Sequence, residues 1–427
     1  MRRGFALPYL TADLPGTSGR LKDSPEDFMV DERLLYEPSG QGEHIYIRIE
    51  KRALSTFEAV RRIGRALGVS PRDIGYAGMK DTAAVARQTL SVAGVTESAA
   101  RALSLDGITI LDAKRHGNKL RLGHLKGNRF RATIRAAAPE ALDRACAILR
   151  VLESRGVLNF FGPQRFGTRH RNVAVGAAIL RRRFRRAVHA LFAPVPEEEG
   201  TAVGHARQCA WAGDYDHGLA LFPGSFLPER NAVMALRKAK LLVKSAAASE
   251  DEFAGVLKRI PESYLEFYIS ALQAHLFNEV LTRRFDTFDS VLDGDLAWIH
   301  SKGAVFSVES ASAEAARAAA FEISPSGPIF GAKMLSPRGV PGNTEADILA
   351  HAHLTAESFR SCLGVTSKGV RRPLRAPLME TSVEPAVDAA DAIVVSFFLP
   401  KGSFATVVLA EITKPVGPGS AEDVFIE

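Results

Sequence analysis

The sequence predicts an α/β (α+β) protein: a mixed, mainly antiparallel sheet flanked by helices, with a second α/β domain inserted into it. Three observations carry this. Strand-like alternation and helix-like spacing are interspersed over the first 158 residues, with hairpin-like polar turns between them. Residues 159–378 change to mostly helical periodicity with longer polar connections. Strand character then returns at 392–398. The expected organisation is one domain from residues 1–158 plus 379–427, interrupted by another at 159–378. At 427 residues, two or three domains of ordinary size can each bury a core.

In chain order, 27–32 alternates weakly and reads as a strand, followed by the polar turn 37–42. Residues 44–49 form a cleaner period-two strand, with Ile45, Ile47 and Ile49 on one face. Ser55 and Glu58 have the spacing of a capping box, so a helix should follow. Its apolar face is expected to hold Phe57, Val60, Ile63 and Leu67, with Gly68 as its stop. Residues 74–81 are glycine-punctuated and read as a loop or strand end, and 88–92 as extended. Further strands are expected at 108–111 and 119–135, around a turn at 115–118. A helix at about 139–153 closes the first unit, with Leu142, Cys146, Leu149 and Val151 or Leu152 on one face. In the middle, 262–284 should be a helix burying Leu265, Ile269, Leu272, Leu276 and Val280, and the alanine-rich stretch 312–320 another. After the turn at 400–403, the apolar run 404–409 is expected to continue a sheet-like tail.

Composition excludes several classes. With 46% hydrophobic and 24% charged residues, disorder, collagen and coiled coil do not fit. Three widely spaced cysteines, Cys146, Cys209 and Cys362, give no disulfide framework or zinc knuckle and suit a reducing cytoplasm. The basic start Met1-Arg2-Arg3-Gly4 precedes an apolar stretch, 5–10, too short for a secretory signal, and no apolar run is long enough to span a membrane. No heptad pattern asks for a dimer, so a monomer is expected.

The formal net charge of +7 conceals an uneven distribution. Windows 114–135 and 164–186 each hold eight Lys/Arg and no acid; without those sixteen, 39 basic residues face 48 acidic ones, a net of −9. Two compact basic windows on an acidic body suit a localised polyanion footprint, although solvated surface faces are the bland alternative.

No phosphate-binding loop, HExxH or dinucleotide fingerprint is present, and the eleven histidines show no ligand spacing; His170 and His189 are expected at a surface or facing RNA. No metal or organic cofactor is expected. Asp81 is the most suggestive carboxylate: it follows Gly75, Tyr76, Gly78, Met79 and Lys80, where glycines permit close backbone approach and cations keep it ionised. It could serve as nucleophile or base, or merely cap a helical turn starting at Thr82. Lys126-Gly127-Asn128-Arg129-Phe130-Arg131 suits a surface that holds phosphates and stacks a base, while Phe130 fits a strand core equally well. Phe397 and Phe398 read as core, with Phe404 left open.

Read together, these segments resemble the tRNA pseudouridine synthase D (TruD) family. Leu21-Lys22 and Pro25-Glu26-Asp27-Phe28 are similar to its N-terminal strand entry, and Gly75-Tyr76-Ala77-Gly78-Met79-Lys80-Asp81, with Gln88 beyond, to its catalytic motif. Lys126 to Phe130 resembles its substrate loop, Asn159-Phe160-Phe161-Gly162 through Gly167 the opening of its inserted domain, and Leu399-Pro400-Lys401-Gly402-Ser403-Phe404 its C-terminal return. The chain departs from the pattern at Thr82, where a basic residue is common, at Ala86, where a threonine is, and in a longer insertion.

The resemblance implies a pseudouridine-synthase-type sheet and cofactor-free isomerisation of a uridine in tRNA, usually uridine-13 in the D arm. It makes Asp81 the catalytic carboxylate, paired with Lys22. Phe28, Asn128, Phe130 and Phe404 would line the nucleotide pocket, with Phe130 stacking on uracil. Lys126 and Arg129 from the first basic window, and Arg165, Arg169, Arg181, Arg182, Arg183, Arg185 and Arg186 from the second, would hold RNA phosphates. A non-catalytic RNA-binding protein would explain the basic windows but leave Asp81 without a role. A glycoside or phosphoester hydrolase would need a second carboxylate or a metal cluster, and the nearest candidates, Asp73 and Asp112, sit in no comparable surroundings.

Overall fold

The computed structural model describes residues 8–414; the basic start, part of the apolar stretch 5–10, and residues 415–427 lie outside them. The chain clusters into two compact units, one built on Asn159–Arg375, the other on Pro8–Leu158 and the segment from Ala376.

The second of these units is organised by a nine-stranded sheet. Its order runs Met379–Pro385, Ile393–Pro400, Leu125–Arg135, Phe28–Leu34, Val85–Ala93, His44–Arg52, Ile108–His116, with two short strands alongside. Only Phe28–Leu34 and Val85–Ala93 run parallel; every other pairing in this sheet is antiparallel. This is the mixed, mainly antiparallel sheet that the alternation predicts. The period-two stretch around Ile45, Ile47 and Ile49 buries all three completely, against Val60 and Ile63 of the Thr56–Leu67 helix. Each such side chain stabilises the fold by roughly 1.5–3 kcal/mol relative to exposure.

Several local expectations shift. Ser55 does cap the helix, accepting the Glu58 amide at 3.1 Å, but the Glu58 carboxylate turns outward to Arg61 and Arg62. Phe57 is 62% exposed, because the buried face is centred on Thr56, Ala59, Val60 and Ile63. Thr56 faces inward to meet the loop before Asp81, which turns its neighbour to the surface. The 108–111 strand extends through His116, and the next begins at Leu125, so the reversal occupies 117–124. The helix expected at 139–153 is Ala141–Arg155; Leu149 and Leu152 are buried as expected, while Ala145 and Ile148 take the inner positions in place of Leu142 and Cys146, which are half-buried. The apolar run after Phe404 is a helix, Ala405–Thr413. Its buried Ala405, Val408, Leu409 and Ile412 follow helical spacing, which outweighs the strand preference of its valines.

The Asn159–Arg375 unit surrounds the Glu262–Arg283 helix, which buries Leu265, Ile269, Leu272, Leu276 and Val280. A small antiparallel sheet accompanies the helices, in the order Ala304–Ser307, Leu296–Ile299, Ile323–Ile329, Val370–Pro373. The Arg171–Leu180 helix packs on the long helix through Gly176, where a Cβ would come within 2.2 Å of the Tyr268 carbonyl oxygen. Gly176→Ala is therefore expected to destabilise the protein by about 1–3 kcal/mol through overpacking, despite alanine's better helix propensity. Urea unfolding checks this, and an unchanged or raised midpoint would contradict it.

Candidate active site

Asp81 sits between the short strand Gly75–Tyr76 and the strand Val85–Ala93. No helix follows it, so the capping role does not apply. Gly75 is required by packing, since a Cβ there would lie 2.2 Å from the Leu120 carbonyl oxygen. The loop that follows is held from several directions. The Lys80 amide donates to Thr56 Oγ1 at 2.9 Å, and Thr56 Oγ1 donates to Gln88 Oε1 at 3.0 Å. Lys51 Nζ donates to the Asp81 backbone carbonyl at 2.7 Å and also to the Leu54 carbonyl. Lys80 Nζ pairs with Glu32 Oε2, both side chains being almost wholly buried, while Glu32 Oε1 accepts the Thr89 amide at 3.1 Å. A backbone fixed this way presents the Asp81 side chain outward, 54% exposed, with Lys22 Nζ 3.3 Å from Oδ2.

Lys22 links the carboxylate to an aromatic floor. Its Nζ lies 4.7 Å from the centre of the Phe28 ring. Phe28 stacks on Phe130 with centroids 6.0 Å apart, and Phe130 lies 5.5 Å from Phe397. Phe28 and Phe130 are buried, so the sheet covers most of both rings. Phe130 pairs with Val30 and Phe397, and two residues along Asn128 pairs with Glu32 and Leu399, so strand alternation puts Asn128 on the same face. The buried Asn128 Oδ1 and Gln88 Nε2 find no hydrogen-bond partner among the described residues. Such groups are costly to leave unpaired inside a protein, so each has hydrogen-bonding capacity to offer a polar group. Phe404, 38% exposed, follows the turn leaving Ile393–Pro400, whose last residue pairs with Gly127.

The structure thus gathers Asp81, Lys22, Phe28, Phe130 and Asn128 on one face of the sheet. It does not bring Arg129 there. Arg129 has the opposite strand parity and bonds Glu380 at 2.9 Å. Lys126 is exposed, with no side-chain partner among the described residues. In the Asn159–Arg375 unit, Arg165 bonds Ser270 Oγ at 3.0 Å over the Phe267 ring, and burial lowers its pKa. Arg169 is exposed and pairs with Glu197 at 2.6 Å. Arg181, Arg182, Arg183 and Arg186 line one concavity, whereas Arg185 turns to the Ala246 carbonyl at 3.2 Å. His189 is half-buried, edge-on to Trp211 with its Nε2 against the Val243 carbonyl, so it belongs to the interior of its unit and not to an RNA-facing surface.

Sequence reasoning gave no role to Lys51, Thr56 or the Glu32–Lys80 pair. Strand parity held the signal for two of them: Phe28, Val30 and Glu32 alternate inward, as do Ile45, Ile47, Ile49 and Lys51. Burial pushes Lys51 down to about 8; the Asp81 charge opposes this and the Lys80 charge adds to it. The unfolded lysine titrates near 10.5, so between these values the unfolded chain binds more protons and stability rises with pH. Below pH 8 the cost of the buried charge is present in full. The relief amounts to at most about 1.4 kcal/mol per pH unit. Lys51→Met should abolish this rise, as read from urea unfolding at pH 8 and pH 10. An unchanged rise would assign it to another group.

Among the described residues no cluster of His, Cys, Asp and Glu could hold a metal ion, and no helix is long and apolar enough to cross a membrane. An exposed carboxylate on a fixed backbone, a neighbouring ammonium, an aromatic floor and an unpaired amide oxygen together suit nucleophilic or base chemistry on a flat polar ring. Comparisons with known proteins identify the family of the chain. The family model described as tRNA pseudouridine synthase D (TruD) matches residues 5–412. The tRNA pseudouridine synthase D of Geobacter sulfurreducens is 46% identical over 412 residues, covering 96% of this chain and 98% of the relative. That of Anaeromyxobacter dehalogenans is 36% identical over 410 residues, covering 96% of each. A solved structure from Methanosarcina mazei, described as a candidate tRNA pseudouridine synthase D, superposes with a TM-score of 0.76 at 27% identity, covering 95% of this chain and 96% of that one. The chain belongs to the tRNA pseudouridine synthase D family.

Proposed function

We propose that the protein isomerises a uridine of tRNA to pseudouridine, with uridine-13 of the D arm as its target and Asp81 as the catalytic carboxylate. The observation that carries this is Asp81 itself: an exposed carboxylate on a backbone pinned by Lys51, and by Thr56 through Lys80, beside Lys22. The reaction breaks the C1′–N1 bond, turns the uracil and forms C1′–C5; N1 gains a proton and C5 loses one. Nothing is oxidised or reduced, so no cofactor is needed. The target nucleotide must leave its stack, at about a few kcal/mol. Contact with the 38%-exposed Phe404 ring, and with what the sheet leaves open of Phe28 and Phe130, offsets part of this, at roughly 1–3 kcal/mol for a stacked base. The unpaired Asn128 Oδ1 suits the N3–H of uracil as donor. The sheet unit is the catalytic domain of this reading and the Asn159–Arg375 unit its RNA-binding domain; the protein acts in the cytoplasm as a monomer.

The test is to incubate the protein with unmodified tRNA transcripts and map pseudouridine by carbodiimide treatment and primer extension. A stop at a single uridine is expected. Tight tRNA binding with no stop on any transcript would contradict the reading and leave a non-catalytic RNA-binding protein.

A further inference from the structure

The helix Arg171–Leu180 ends in a tight corner, with Arg182 in the left-handed region at φ +54°, before the helix Phe184–Phe192 begins. That corner forms one wall of an open concavity of about 770 Å³. The other wall comes from residues 353–361, a segment in which the sequence shows no motif. Five guanidiniums line the space, those of Arg181, Arg182, Arg183, Arg186 and Arg360, against one carboxylate, Glu357, which is already paired with Arg360 at 3.1 Å.

These walls are fixed to each other. Arg181 Nε donates to the Ala352 carbonyl at 2.7 Å, and Arg182 Nη2 to the Ser361 carbonyl at 3.1 Å. Phe359 and Cys362 anchor the second wall in the core, with Cys362 Sγ on the Ile179 carbonyl. Arg183 and Arg186 are exposed and have no side-chain partner among the described residues. Four of these like charges have no acid among the lining residues to pair with and repel one another, and the lowered pKa of Arg181 reflects burial first and then Arg186 and Arg183. A fold that keeps such a cluster on rigid walls is prepared for an anion that supplies the missing charge.

We propose that this concavity binds the phosphodiester backbone of the RNA substrate. Guanidinium forks match phosphate oxygens in pairs, and the hydroxyls of Thr355, Ser358 and Ser361 add donors. No Phe, Tyr or Trp is among the lining residues, so no base is stacked and contact is independent of sequence. The site positions the tRNA and takes no part in the chemistry. It rests on the reading of the protein as a tRNA-modifying enzyme and extends it to residues 353–361.

The test uses the full chain and an unmodified tRNA transcript, with dissociation constants measured over a range of KCl. Arg183→Gln/Arg186→Gln should weaken binding about tenfold or more and flatten the plot of log K against log salt by about two, since each lost phosphate contact removes about one. Arg183→Lys/Arg186→Lys should restore most of the slope. Arg360→Gln, on the opposite wall, should flatten it by about one. Unchanged affinity and slope in the folded glutamine variants would overturn the proposal. A second arm uses inorganic pyrophosphate: if it raises the melting temperature of the wild type but not of the glutamine variant, while tRNA binding is equal in both, the site serves small phosphoryl compounds and the RNA assignment fails. None of these readouts depends on turnover, so a protein that binds tRNA through this site but makes no pseudouridine would sink the proposed function alone.

Discussion

Asp81→Asn is expected to slow pseudouridine formation by at least about 10⁴-fold, the scale seen when a catalytic nucleophile or base is removed. The substitution keeps the shape of the side chain and removes its charge. Because Asp81 is 54% exposed and its pair with Lys22 is 3.3 Å long, it contributes little to stability. The ties that shape the loop involve the backbone of residues 80 and 81 and stay in place. The variant should therefore melt with the wild type and bind tRNA with similar affinity while failing in the chemical step. That separation is the signature of a catalytic group; a variant retaining a tenth of wild-type activity would remove Asp81 from this role.

The second large effect concerns stability. Glu32→Ala leaves Lys80 as a buried ammonium without its counter-charge, and removing one partner of such a pair costs about 3–5 kcal/mol. The Thr89 amide also loses its acceptor. Replacing both members, as Glu32→Leu with Lys80→Met, should recover most of the loss, because no unpaired charge remains. Urea unfolding of the single and double variants forms the cycle. A single variant within 1 kcal/mol of wild type would show that water reaches Lys80. The double variant should remain a slow enzyme, since Lys80 directly precedes Asp81 and its side chain anchors the loop.

The sheet was legible wherever one face is buried. Ile45, Ile47 and Ile49 announce their strand because period-two burial leaves a period-two sequence. The long helix Glu262–Arg283 is equally plain, its apolar residues recurring at helical spacing. The sequence was less informative where a polar residue chooses the face. Phe57 looks like core until Thr56 is needed inward to accept the Lys80 amide. The run after Phe404 carries β-branched residues in a helix whose burial pattern emerges only once the strand before it is placed. The gathering of Lys22, Phe28, Asn128 and Phe130 around Asp81 depends on strand order, which local pattern does not contain. Their parity is local, however, and following it two residues past Ile49 and Val30 would have turned Lys51 and Glu32 inward. The basic windows gave the count of charges but not their direction: Arg129 takes the far face, and Arg171 is buried in its own unit, bonding the Leu191 carbonyl and Glu198.

The most direct measurement follows the proton that leaves C5. A tRNA transcript carrying uridine tritiated at C5 is mixed with excess enzyme, and tritium released to water is counted over time. Wild-type protein should release the tritium of one uridine per tRNA, and Asp81→Asn should release none above background. No release by the wild type, or equal release by both, would contradict the assignment of this chemistry to Asp81.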